Sequence, residues 1–283
     1  MIKKVNENLA KYTTIKIGGC ASVLFMPESV EELVELVKDK GMLPIISGGS
    51  NLLINDKRVF AEVIYLGKID QTIKQMSDGM YYIGSSVRLQ KIINTINADG
   101  FGGIEFLFSV PGMLGGAVYM NAGRGSDKKC ISDCIKDVYV IDKNGNQIIL
   151  SKDECHFDYR KSVFQKSEYV IIGATMSFFK QDIEISKRLI KERFDICNEY
   201  QDNKSPNFGS VFCLYNVRIM DFIKKYSHLL FKNKKARFSQ KTCNWIVNDG
   251  NGTFEEATSC IRFVERVHRL FHKRHELEVK IWK

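Results

Sequence analysis

Three glycine-rich segments carry the first chemical signal in this chain. Ser47-Gly48-Gly49-Ser50-Asn51 directly follows the apolar run Leu43-Pro44-Ile45-Ile46. Ser109-Val110-Pro111-Gly112-Met113-Leu114-Gly115-Gly116-Ala117 is a second loop of the same kind, with Asn121-Ala122-Gly123 close behind. Gly18-Gly19 is the third. Glycine lets backbone N–H groups approach a phosphate closely, and small hydroxyls add donors. None of these is a Gly-x-Gly-x-x-Gly fingerprint, and the Gly-Lys-Ser/Thr of a Walker loop is missing. One glycine pair alone is an ordinary turn. Two such loops beside Gly18-Gly19 imply a large cofactor that carries a pyrophosphate.

Other reactive residues give weaker signals. His268 and His272 stand four apart, with His275 nearby, a spacing that can hold a metal. No acidic or cysteine partner falls on the same face, so the segment reads as a solvated basic helix and no metal site is expected. The eight cysteines form no Cys-x-x-Cys, and Cys130 and Cys134 offer only two ligands. Reduced, mostly buried thiols in a cytoplasmic protein are expected. The chain has 42 Lys+Arg against 33 Asp+Glu, a net charge of +9. That charge is spread along the chain, so nucleic acid is not expected as a partner. The densest basic stretch, Lys232-Asn233-Lys234-Lys235-Ala236-Arg237, reads as a solvated loop or as the rim of an anionic-ligand site.

The elements that must position these loops are legible. Val23-Leu24-Phe25-Met26 reads as a strand. Ser29 and Glu32 form a capping box for a helix with Val30, Leu33, Val34 and Val37 at helical spacing, ended by Gly41. Strands are expected at 43–46, 80–84 and 169–178. Leu89, Ile92, Ile93 and Ile96 make a helical face stopped by Gly100. Val138–Ile141 and Gln147–Leu150 flank Asn144-Gly145, a hairpin signal. Residues 182–201 read as a charged helix with Ile185, Leu189 and Phe194 on a partial apolar face. Lys204-Ser205-Pro206 marks a boundary. A last helix opens on a Thr253–Glu256 capping box and buries Ala257, Ile261, Val264, Val267 and Phe271.

Composition bounds the class. With 283 residues, 44% of them hydrophobic, the chain can bury a full core, which excludes disorder. No run of about 18 apolar residues predicts a membrane span, and Met1-Ile2-Lys3-Lys4 does not open a secretory signal.

Tyr12 to Gly19, Gly48 to Leu53, Gly103-Ile104-Glu105-Phe106, Pro111 to Ala117 with Asn121-Ala122-Gly123, and Tyr159-Arg160-Lys161-Ser162 follow one another along the chain. In this order they resemble the UDP-N-acetylenolpyruvoylglucosamine reductases, FAD enzymes of bacterial cell-wall synthesis. The likeness runs from about Asn8 to Ile281. It implies an α+β, FAD-binding fold of the vanillyl-alcohol-oxidase (PCMH) type. Two α+β subdomains, 1–61 and 62–202, would enclose the flavin, and a C-terminal α+β domain, 203–283, would bind substrate. The short link after Arg160 is similar to the family's compact second type. The implied cofactor set is Thr14, Gly18, Gly19, Ser47, Gly48, Gly49, Ser50, Asn51, Leu52, Ser109, Pro111, Gly112, Gly115, Gly116, Asn121, Gly123 and Ile171. Arg160, Ser210 and Glu278 match the catalytic positions, and Tyr159 and Asn244 match substrate positions. NADPH is the implied reductant, a UDP-sugar the substrate, and a cytoplasmic monomer the expected form.

The C-terminal part departs from the family pattern. Cys213 stands where a lysine is usual, Thr242 where a histidine is usual, and Ser47 where a glycine is usual. A paralogue acting on another unsaturated anionic substrate, or a flavin-retaining binding protein, are the alternative readings. Lys234 and Lys235 are the expected replacement contacts for a substrate diphosphate.

Overall fold

The computed structural model describes residues 1–124 and 129–283. Six helices lie among them: α1 (Val30–Lys40), α2 (Leu89–Ala98), α3 (Leu114–Tyr119), α4 (Ile183–Tyr200), α5 (Val217–Leu230) and α6 (Phe254–Leu270). Chain contacts divide the molecule into two compact units. The first comprises Met1–Val5, Val23–Gly48 and Glu62–Asp195; the second comprises Asn6–Ser22, Gly49–Ala61 and Ile196–Lys283. This division does not follow the spans 1–61, 62–202 and 203–283, because the segment after Gly48 packs with the C-terminal residues.

The first unit is organised by a five-stranded antiparallel sheet. Its order is Gln147–Ser151, Ile135–Ile141, Val170–Ser177, Met80–Gly84 and Ile73–Ser77. The central strand Val170–Ser177 is buried from Val170 to Met176 because both its faces are covered. Ile171, Ala174 and Met176 join Leu89, Ile92, Ile93 and Ile96 of α2 in one cluster. Val170 and Ile172 meet Leu33, Leu36 and Val37 of α1 in another. The strand thus feeds two cores, and the face it presents to each switches at the bulge in its pairing between Ile171 and Gly173. The expected hairpin joins Ile141 to Gln147, and Asp142 fastens its turn by accepting the N–H groups of Asn144 and Asn146 at 2.9 and 2.8 Å. A four-stranded sheet runs Ile2–Asn8, Cys20–Met26, Val59–Tyr65, Ile45–Ile46, its last pair parallel.

The second unit closes on its own core: Ile15, Ile17, Leu53, Phe208, Phe212, Met220, Ile223, Phe238, Ala257, Ile261 and Val264. An antiparallel sheet orders Asn207–Ser210, Trp245–Asn248 and Ala236–Phe238. Phe212–Leu214 pairs with Glu276–Leu277, and Lys280–Trp282 runs parallel to Leu52–Ile54. The Thr253–Glu256 capping box forms at the start of α6.

Several local expectations are corrected. Ser29 caps α1, but the Glu32 carboxylate accepts the Glu28 N–H and the N-terminal ammonium, so only half of the box forms. On α4 the inward stripe is Ser186, Ile190 and Cys197, while Ile185 and Phe194 face solvent. Phe271, just past α6, is exposed, while His268 lies in the interior, so of the His268/His272 pair only His272 is solvated. No described helix is long and apolar enough to cross a membrane.

Candidate functional site

In the first unit Ser47 and Gly48, the start of the first glycine loop, meet the second long glycine loop. A Cβ on Gly48 would lie 3.3 Å from the Met113 nitrogen and 3.4 Å from the Gly112 Cα. On Gly116 it would lie 3.6 Å from the Ser47 hydroxyl. The loops are therefore close enough to line one cradle, and side chains would close it. The Ser109 hydroxyl accepts from the Arg193 Nε at 2.8 Å, which braces the second loop. None of the N–H groups of Ser47, Gly48, Gly49, Ser50 and Asn51 donates to another described backbone group. Such a run of donors suits an anion.

Ser85 was not singled out from sequence. It is 2% exposed, its carbonyl accepts the Gly115 N–H at 2.9 Å, and its hydroxyl is buried with no partner. A buried hydroxyl without a partner costs about 1–3 kcal/mol, so one beside a glycine cradle points to a polar ligand group. The signal was present: Gly84-Ser85-Ser86 ends a strand with the same small-residue composition as the first loop. Ile171 lies on the buried central strand, its carbonyl near Gly115. Together these features fit the pyrophosphate of FAD.

Arg160 is also in the first unit, on a tight turn. Asp158 and Lys161 exchange backbone hydrogen bonds of 3.1 and 3.0 Å, and Arg160 between them has φ 56°. A bulky residue in the left-handed region costs about 1–3 kcal/mol and persists only where its surroundings demand it. Here Gln165 grips the Arg160 carbonyl at 2.9 Å, and Ser162 and Gln165 both bond the Tyr119 carbonyl. The guanidinium donates to the Gly123 carbonyl at 2.8 Å and lies 5.2 Å from the Tyr159 ring centre. Tyr159 itself is 46% exposed. Asn121 is buried; its amide accepts from the Ser132 N–H and donates to the Asp158 carbonyl at 3.0 Å. Asn121 and Gly123 thus brace Arg160. Burial and Asp133 push the nearby Cys130 thiol up, against the pull of Arg160.

In the second unit Gly49 has φ 61°, and a Cβ there would lie 1.9 Å from the Tyr12 carbonyl oxygen. Thr14 donates its N–H to the Gly49 carbonyl at 3.1 Å and its hydroxyl to the Asn207 carbonyl at 2.6 Å. Gly18 and Gly19 are pressed against the backbone of Ala10 and of Arg58 and Asn55, a packing reason for both. Asn51 ties the loop to the last strand. Its amide donates to the Glu278 carbonyl at 3.0 Å and its carbonyl accepts from Lys280 at 3.0 Å, beside the Leu52–Lys280 pairing. Ser50 stands between these anchored residues.

Ser210 ends the strand Asn207–Ser210, opposite Trp245. Gly209 before it has φ 73° with open space where a Cβ would be, so the requirement there is conformational alone. Glu278 donates its backbone N–H to the Val211 carbonyl at 2.8 Å, which brings the segments of Ser210 and Glu278 together. Asn244 is buried, and its amide both accepts from the Phe212 N–H and donates to the Phe212 carbonyl, so it acts as a strand mimic. Cys213 points its thiol at the Glu276 carbonyl, 3.5 Å away. Burial lowers the Lys280 ammonium below its ordinary value, while Cys213, Glu276 and Glu278 pull it back.

The basic stretch is not one patch. Lys234 donates to the Ser259 hydroxyl at 3.0 Å and Arg237 pairs with Asp249 at 2.6 Å, while Lys232 and Lys235 are exposed. His268 is fully buried rather than solvated, and no described group of three or more His, Cys, Asp or Glu could hold a metal.

Residues 21–151 match the FAD binding domain family. The UDP-N-acetylenolpyruvoylglucosamine reductase of Caldanaerobacter subterraneus subsp. tengcongensis is 32% identical over 93% of this chain and 87% of its own length. That of Thermotoga petrophila is 30% identical over 98% of this chain and 97% of its own. The crystal structure of UDP-N-acetylenolpyruvylglucosamine reductase (MurB) from Thermus caldophilus shares the fold, with TM-score 0.80 and 24% identity over 100% of this chain and 98% of that one. The fold is the α+β FAD-binding fold of the vanillyl-alcohol-oxidase type, and FAD is its cofactor. By its full-length identity to those enzymes, the chain belongs to the UDP-N-acetylenolpyruvoylglucosamine reductase family.

Proposed function

We propose that this protein reduces the enolpyruvyl ether of UDP-N-acetylglucosamine to UDP-N-acetylmuramate, with NADPH as electron source, in peptidoglycan precursor synthesis. It works as a cytoplasmic monomer, with residues 1–202 serving the flavin and 203–283 the substrate. When bound, FAD would supply the hydride chemistry that links NADPH to the terminal carbon of the substrate double bond. Arg160 pairs with the substrate carboxylate in a two-pronged contact and stabilises the enolate that forms there. The Ser210 hydroxyl gives its proton to the adjacent carbon, which is basic enough in the enolate to accept from a weak acid. Glu278, in its protonated form, donates to the same developing charge. The loops Ser47–Asn51 and Ser109–Gly116 hold the cofactor pyrophosphate, and Tyr159 flanks the substrate beside Arg160. Of the two lysines expected to meet a diphosphate, Lys235 is the exposed one, since Lys234 is bound to Ser259.

The observation that supports this reading best is the bond from the Glu278 N–H to the Val211 carbonyl. It puts the two proposed proton donors on neighbouring segments in a chain of this family. A changed substrate is the second reading, favoured by Cys213, whose strand offers a thiol where the family has an ammonium. Anaerobic reduction of the protein by NADPH, then reoxidation by the UDP-sugar enolpyruvyl ether, separates the two. Rapid reoxidation supports the first. Reduced flavin that this ether leaves unoxidised, while another enolpyruvyl compound oxidises it, supports the second.

A further inference from the structure

Among the buried titratable groups that the mechanism leaves unused is a histidine of the second unit. His268 lies on α6 with 0% exposure. A buried imidazole must satisfy both ring nitrogens. The Asn216 N–H lies 3.0 Å from Nε2, and a backbone N–H can only donate. Nε2 is therefore the acceptor, and Nδ1 carries the hydrogen toward the Val264 carbonyl, 2.9 Å away. Only the neutral ring with its proton on Nδ1 fits both partners. A second ring proton would sit opposite a donor.

The two contacts matter because of what they join. Asn216 caps α5 and follows the strand Phe212–Leu214, which begins two residues after Ser210. That strand pairs with Glu276–Leu277 through Phe212 and Leu277. His275 precedes the second strand directly. Its ring centre is 5.6 Å from that of His268 and 6.4 Å, edge-on, from that of Phe212. One imidazole therefore anchors one strand through Asn216 and touches the other through His275.

We propose that His268 is a positioning residue: its neutral ring holds in register the strand pair that Ser210 precedes and Glu278 follows, and protonating it loosens that pair. The proposal rests on the roles given above to Ser210 and Glu278. The groups that meet His268 from neighbouring elements are the Asn216 amide at the head of α5, the Phe212 strand by way of His275, and His275 itself. On α6, the neighbouring charged side chain Arg269 is exposed, and His275 is the titratable group whose charge reaches the ring. Burial works against the charged form of His268, and a charged His275 adds to it.

The test compares His268→Gln and His268→Ala. Glutamine can accept from the Asn216 N–H and donate to Val264, and it does not titrate. In the wild type, substrate-driven reoxidation of the reduced flavin should hold through the ordinary histidine value of about 6.5 and fall only at more acid pH, because burial resists the ring's protonation. The glutamine variant should keep its rate near neutrality and lose that acid limb. The alanine variant should be slower at every pH, by about 10²-fold if the proton donors shift by an ångström. Ring-nitrogen NMR of the holoenzyme should show His268 with its proton on Nδ1, and the Phe212 and Leu277 amides should exchange faster in His268→Ala. An unchanged acid limb in His268→Gln, or a proton on Nε2, overturns the proposal. If alanine does not fold, the glutamine profile and the ring NMR decide alone. Reoxidation absent in every protein would sink the functional reading, while tautomer and amide exchange still judge the positioning.

Discussion

Replacing Gly49 by alanine should damage this protein far more than replacing Gly209, although both glycines have positive φ, 61° and 73°. Alanine in the left-handed region costs roughly 1–2 kcal/mol at either site. At Gly209 that is the whole effect, because nothing lies within 4 Å of a Cβ there. At Gly49 the new methyl would lie 1.9 Å from the Tyr12 carbonyl oxygen and 3.0 Å from the Thr13 Cα. Both are backbone, so the loop itself must move. Overpacking of this kind adds about 1–3 kcal/mol. At roughly 2–4 °C per kcal/mol, Gly49→Ala should melt about 2–12 °C below Gly209→Ala. The displaced loop also moves the Ser47–Asn51 donors, so its FAD content should fall while Gly209→Ala keeps its flavin. Calorimetry and flavin absorbance on purified proteins measure both. Equal melting temperatures and equal flavin content would refute both the close-approach reasoning and the placement of the cofactor at this loop.

Ser85→Ala should leave the flavin-free protein as stable or more so, because it removes a buried hydroxyl with no partner, yet weaken FAD retention; a destabilised flavin-free protein would show the hydroxyl is structural. Arg160→Lys should slow substrate-driven reoxidation by about 10²–10³-fold, since an ammonium cannot make the two-pronged contact; an equal loss in flavin reduction would point to damaged folding instead. Lys234→Ala should lower the melting temperature through the lost Ser259 bond and leave the KM for a UDP-linked substrate unchanged, while Lys235→Ala should raise KM and spare stability; a KM rise in Lys234→Ala would make both lysines substrate contacts. Acid stability follows from His268. Its folded state resists protonation, so below the ordinary histidine value of about 6.5 the unfolded chain binds the extra proton and stability drops as pH falls. His268→Gln should flatten that slope in denaturant titrations between about pH 5 and 7, and an unchanged slope would exclude His268 as its source.

The residues themselves determined a great deal here. Glycine dipeptides after apolar runs located the proposed cofactor loops, because only glycine tolerates the backbone approach seen at Gly49. Local rules placed the helices and the Asn144-Gly145 hairpin, since caps and turns involve residues a few positions apart. What failed locally failed for tertiary reasons. Helical spacing could not say whether Ile185 or Ser186 faces inward on α4, because the two are one residue apart and the covering surface decides. His268 looked like part of a basic surface; only the arrival of the Asn216 N–H at its ring made it a buried anchor. The Lys232–Arg237 run looked like one patch, and Ser259 and Asp249, brought in by folding, divided it. The bond from Asn51 to Glu278 joins residues 227 positions apart. Neither propensity nor periodicity reaches that far, and contacts of that separation exist only once the backbone is closed.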